Sequence, residues 1–131
     1  MTNIYEMFET NDMLEQQGIW VNYGSAGKFL VARSGGANTH FAKVLEMKMR
    51  PYRKQTLNNE VAADILMESF VEAALLGWDG VKDRKGKAIK FSKENAIKLF
   101  KELPDLFSDL REQSSQMSNY QYGDVEDDAG N

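Results

Sequence analysis

Between Glu60 and Leu76 nearly every position is apolar: Val61, Ala62, Ala63, Ile65, Leu66, Met67, Phe70, Val71 and Ala73 through Leu76. The acidic exceptions Asp64, Glu68 and Glu72 recur every four residues, so on a helix they make one narrow wet stripe. A helix that is apolar around the rest of its circumference has to be covered on several sides. Burying a large side chain is worth about 1.5–3 kcal/mol. Ile65, Leu66, Phe70, Leu75 and Leu76 therefore mark this stretch as the hub of a core.

The flanking pattern predicts the other elements. Residues 1–17 read as an acidic lead, weakly helical or loose, with Met7, Phe8, Met13 and Leu14 in a short amphipathic turn. Alternation from Ile19 to Tyr23, the turn Gly24-Ser25-Ala26-Gly27 and renewed alternation from Lys28 to Arg33 predict a β-hairpin over 18–33. A helix over 37–50 follows, capped by Asn38 or Thr39 and closed by Pro51, with Phe41, Val44, Leu45 and Lys48 on one face. The hub helix is expected over 57–77, with Gly77-Trp78-Asp79-Gly80 as its stop and a turn. A second, tighter hairpin is expected over 81–91, with Gly86 at a left-handed position. Ser92 caps a helix over 93–103, and Pro104 opens another over 104–117. The expected fold is a mainly helical, small, single α+β domain of about four helices and two β-hairpins over 18–120. Residues 121–131 are expected to be a disordered acidic tail.

Composition narrows the class. The chain has 131 residues, one histidine and no cysteine. That excludes a disulfide framework and a thiolate metal site. No basic-then-apolar leader is present, and the apolar runs are far shorter than a membrane span. A net charge of −4 argues against a nucleic-acid partner, and neither a membrane partner nor a cofactor is expected. The charge falls in blocks: −4 over 1–17, +6 over 28–54, −5 over 55–80, +6 over 81–101 and −7 over 102–131. Segregated, solvated faces explain this pattern; packing between segments and head-to-tail self-association are the alternatives.

Candidate chemistry is sparse. His40 stands on an expected first helical turn with no nucleophile at a supporting spacing. Gly24 to Lys28 lacks the first glycine and the final Ser or Thr of a phosphate-binding loop. Reading Asp79 to Ser92 as a calcium loop puts Val81, Asp83, Lys85 and Ser92 at ligand positions, and three of those four are unsuitable. Asp64, Glu68 and Glu72 read as a solvated stripe. No enzyme and no metal site is expected.

Several short pieces do carry a resemblance. They are Gly36-Ala37-Asn38-Thr39-His40-Phe41, Arg50-Pro51-Tyr52, the long apolar helix, and Gly77-Trp78-Asp79-Gly80-Val81 followed by Asp83 and Gly86. Phe91 to Ala96, Leu103-Pro104-Asp105-Leu106 and the polar stretch from Ser114 to Tyr120 continue the series. In this order the pieces resemble a tail assembly chaperone of long-tailed bacteriophages over roughly residues 27–120. The resemblance implies a non-catalytic late protein of the host cell cytoplasm, absent from the mature virion. Its implied partner is the tape measure protein, which it keeps soluble until tail tube subunits polymerise. Self-association into oligomers, a frameshift-extended form of the same chain and contact with the tail tube protein are implied as well.

Such a role needs adaptable apolar surface, which unbranched methionine supplies. The expected protein-binding residues are Met47 and Met49 beside Lys43 and Arg50, and secondly Met117 with Tyr120. Two other classes stay open. One is a small phage adaptor or anti-host-defence protein. The other is an RNA-binding regulator using the basic blocks, with Tyr52 among Arg50, Arg53 and Lys54.

Overall fold

The computed structural model describes residues 3–36, 38–54 and 57–122. Two short helices, α1 (Ile4–Phe8) and α2 (Asp12–Gln17), lead into strands β1 (Ile19–Asn22) and β2 (Lys28–Val31). Then come α3 (His40–Met49), the long α4 (Asn59–Ala73), β3 (Leu75–Asp79), α5 (Lys93–Glu102) and α6 (Pro104–Ser115). Short 3-10 turns cover Gly24–Ala26, Arg50–Tyr52 and Met117–Tyr120. This is the expected mixed α+β architecture. The expectation for the acidic end falls mostly on residues 123–131, outside the described residues.

Local chemistry explains the boundaries. Asn58 and Ser92 accept from the backbone N–H of Val61 (2.8 Å) and Asn95 (3.0 Å), closing orphan donors at the starts of α4 and α5. Of the two candidate caps for α3, Asn38 accepts from the His40 N–H at 3.3 Å, while Thr39 makes no side-chain cap bond.

The hairpin at 18–33 forms with Val21 opposite Phe29 and Ile19 opposite Val31. Val21, Phe29 and Val31 are buried on one face, whereas Trp20 on the other is partly exposed and lies under the Lys28 ammonium. The hub helix stops earlier than its composition suggests. Residues 75–79, expected as the last helical turn and a stop, form β3, which pairs antiparallel with β2. The reason is tertiary: β2 would otherwise leave one edge of backbone donors and acceptors unpaired against the core. The bond from the Ala32 N–H to the Ala74 carbonyl (2.8 Å) begins that pairing.

The expected hairpin at 81–91 is reduced to a tight turn with one bridge, Lys82 to Ala88. The Asp83 carboxylate accepts from the N–H groups of Lys85 and Lys87, each at 2.9 Å, and Gly86 takes a φ of 84°. Trp78 tethers this loop to the sheet. Its indole donates to the Ile89 carbonyl at 2.8 Å, and its ring meets Phe91 and Phe29 edge-on.

The core gathers on α4, as the apolar pattern requires. Phe70 is fully buried and meets Phe41 of α3, Phe100 of α5 and Phe107 of α6. Ser69, also buried, is satisfied by its own helix, donating to the Ile65 carbonyl at 2.7 Å. Glu72 stays at the surface and pairs with Lys48 at 2.9 Å, joining α4 to α3.

The acidic lead is built differently from its expected form. Met7, Phe8 and Met13 face outward, while Glu15 is 1 % exposed. Its carboxylate accepts from Arg33 at 2.6 Å, and its carbonyl accepts from the Arg33 N–H and the Asn38 amide. Tyr120 completes the same end of the sheet. Its hydroxyl donates to the Val31 carbonyl at 3.1 Å and its own carbonyl accepts from the Asn11 N–H at 2.7 Å. The lead and the last turn are thus fastened to one another across the exit of β2.

Two outcomes follow. Arg33→Met leaves a carboxylate buried without its partner and should cost about 3–5 kcal/mol, whereas the double change with Glu15→Leu should recover most of it. Urea unfolding of the three proteins checks this. Burial and the neighbouring Asp109 push the Tyr23 hydroxyl well above its ordinary value near 10, and burial does the same for Tyr120. Above about pH 10 the unfolded chain releases these protons while the folded chain keeps them, so stability present below that pH is lost as pH rises. Melting temperatures between pH 9 and 11 should fall less steeply in Tyr23→Phe than in the wild type.

Candidate protein-binding surface on α3

Helix α3 turns Phe41, Val44, Leu45 and Lys48 toward α4, the face its spacing predicts, and none of its residues is fully buried. A helix covered on one side only presents the opposite side to solvent. Ala42, Glu46 and Arg50 lie four apart along that outer side, with Met49 on one flank and Met47 on the other. Met47 is 63 % and Met49 37 % exposed. The small Ala42 side chain leaves the row low between them.

Two shallow depressions adjoin along this row. One, of about 550 Å³, runs from Leu45 and Met49 past Arg50 to Tyr52, Arg53 and Leu57. The other, of about 420 Å³, is bounded by Thr39, Lys43 and Met47. Both share Ala42, Glu46 and Arg50. Pro51 makes the geometry possible. It ends α3 in a 3-10 turn, which brings Tyr52 and Arg53 back beside the helix.

Glu46 organises the charge here. It accepts from Arg50 at 2.7 Å and also pairs with Arg53. The Arg50 hydrogen bond, with both guanidinium charges behind it, holds the Glu46 carboxyl below the usual carboxylate range. Two arginine side chains are thereby laid along the groove, leaving its net charge positive.

The predicted site residues separate into two groups. Lys43, Met47, Met49 and Arg50 are brought together on this surface. Met117 and Tyr120 are not part of it: they lie in the turn after α6, Met117 half-buried and Tyr120 fully buried. Tyr120 is fully buried and its hydroxyl is tied to the Val31 carbonyl. Ala42, Glu46 and Leu57 were not singled out from sequence. The four-residue spacing of Ala42, Glu46 and Arg50 was the available signal for the first two; nothing local marks Leu57.

His40 is exposed at the start of α3, and Gly24–Ala26 is the turn of the first hairpin. Among the described residues no cluster of three or more His, Asp or Glu side chains is placed to hold a metal ion. No helix of the described residues is long and apolar enough to cross a membrane.

Fold and surface together define a small α+β domain that carries a shallow, methionine-flanked helix groove on its outer side. The chain belongs to the YdaY prophage protein family, whose model matches residues 36–131, and it is phage-derived. The matched span includes α3 and the whole of the groove. No curated protein and no solved structure matches the chain.

Because Met47 is exposed and outside the core, Met47→Asp should change stability by less than about 0.5 kcal/mol. Phe41→Ala on the opposite face should cost several times more, since Phe41 packs on Phe70. Thermal denaturation of the two variants distinguishes the outer face from the inner one.

Proposed function

We propose that this protein is a non-catalytic phage tail assembly chaperone that binds the tape measure protein and keeps it soluble during tail morphogenesis. The observation that carries the reading is the exposed pair Met47 and Met49 along the α3 groove, in a chain of prophage family. Methionine is unbranched and polarizable, so a groove edged by it adapts to varied apolar side chains. A shallow groove about three helical turns long suits one short stretch of an amphipathic helix. Contact of that size is weak, and weak contacts repeated by many copies along one long helix sum to tight coating. Lys43, Arg50 and Arg53 favour stretches that carry carboxylates beside their apolar stripe.

The same reading places the protein in the host cytoplasm, outside the finished virion. It includes association between copies, a frameshift-extended form and later hand-over to tail tube protein.

Co-expression with the tape measure protein of the same phage tests it. Wild type should keep that protein in the soluble fraction and co-purify with it. Met47→Asp combined with Met49→Asp should lose most of the soluble complex while the variant itself stays folded. An insoluble, unbound tape measure protein in the presence of wild type would overturn the assignment. Capture of a host protein in its place would favour an adaptor.

A further inference from the structure

A second groove lies between the loop after β3 and helix α5. It encloses about 680 Å³. Its floor is apolar, made by Ala88, Ile89, Leu99 and Leu103, and Leu103 is 46 % exposed. Its rim carries Lys82, Arg84, Lys85, Lys90 and Lys98. Two acids stand among them, and both are engaged within the fold. Asp83 accepts from the backbone of its own turn, and Glu102 pairs with Arg84 at 3.3 Å. The groove therefore offers apolar floor and surplus positive charge together, and it shares no residue with the α3 surface.

The same chain contains the complementary segment. Residues 124–128 read Asp-Val-Glu-Asp-Asp, four carboxylates around one valine. The composition matches the groove in both respects: Val125 suits the floor, and the acids suit the lysine rim.

Reach decides between the segment's own groove and a neighbour's. Described structure ends at Tyr122, just after the turn in which Tyr120 is bonded to Val31. The groove begins just past Asp79, which pairs with Lys28 at the opposite end of β2. Helix α6, about 18 Å long by its twelve residues, separates Leu103 from that final turn. Asp128 is six residues beyond Tyr122 and reaches at most about 20 Å. That is too little for the whole acidic run to lie along its own groove, and no such limit holds between two molecules. We infer that the acidic run 124–128 of one copy docks in the groove between the 82–90 loop and α5 of a second copy, giving head-to-tail association. Because donor segment and groove differ, the contact is heterologous and repeats from copy to copy.

The proposal is independent of tape measure binding, and its test needs no other protein. Sedimentation of the full chain should show species larger than a monomer at 20 mM salt that dissociate by 500 mM, as screening shortens the range of charge interactions. A chain ending at Tyr122 should sediment as a monomer at both. Lys82→Glu with Lys98→Glu makes a groove variant; Asp124→Lys with Asp127→Lys makes a tail variant. Each alone should be monomeric, and an equal mixture should associate again, which general loss of folding cannot produce. A labelled peptide of residues 121–131 should bind the truncated chain at least tenfold more tightly than the truncated groove variant. A monomeric wild type under all these conditions, or variants that associate as wild type does, would overturn the inference. Concentration-independent docking within one molecule, or tighter binding of a single-stranded oligonucleotide than of the peptide, would also overturn it.

Discussion

Phe70 has no exposed surface, and the rings that meet it come from three different helices. Phe41 is far along the chain from Phe100 and Phe107, and the three can contact one side chain only if α3, α5 and α6 all approach α4. Edge-on aromatic contacts are directional as well as apolar, so the cluster constrains how the helices approach. Everything peripheral depends on that arrangement. It leaves α3 with one face inward and one outward, and it sets α5 against the loop that follows β3. The α3 groove lies on the face that the Phe41–Phe70 contact leaves outward, and the second groove lies where Trp78 holds the loop near α5.

Charge is used inside the fold in a way its distribution along the chain does not reveal. The acidic lead meets the first basic block at Glu15 and Arg33, and the hub's acidic stripe meets the same block at Glu72 and Lys48. The first pair is buried and the second lies at the surface, so they differ in consequence. Loss of Arg33 strands a charge, whereas loss of Lys48 removes a contact of the kind worth a few tenths of a kcal/mol. Arg33 also has a buried Nε without a hydrogen-bond partner among the described residues, a sign that position counts here more than complete satisfaction. Its place at the exit of β2 joins α2, the sheet and the start of the loop to α3.

The two grooves differ in character. The α3 surface combines adaptable apolar edges with arginines fixed by Glu46. The second groove combines an apolar floor with lysine side chains on an exposed turn. The first suits helical stretches of varied sequence, the second an acidic segment. Under the coating role proposed above, contacts between neighbouring copies would turn separate weak contacts into a continuous layer.

Much of this was legible in the residues alone. Apolar residues around most of a helix required a covered hub; alternation with a four-residue turn set the first hairpin; capping residues and prolines marked the helix starts and stops. The helix period alone places the two methionines of α3 on the two flanks of its open side. The remainder depended on neighbours in space. Leu75 to Asp79 has a composition compatible with the end of a helix and is a strand because β2 needed a partner edge. Glu15 is buried and Met13 exposed, against their polarities, because Arg33 waits behind one and solvent lies beyond the other. Tyr120 reads as a surface aromatic in a polar run and is core because the Val31 carbonyl is within reach of its hydroxyl. Sequence determines which faces must be buried; tertiary structure decides what buries them, because the unpaired groups that make the choice are far apart in the chain.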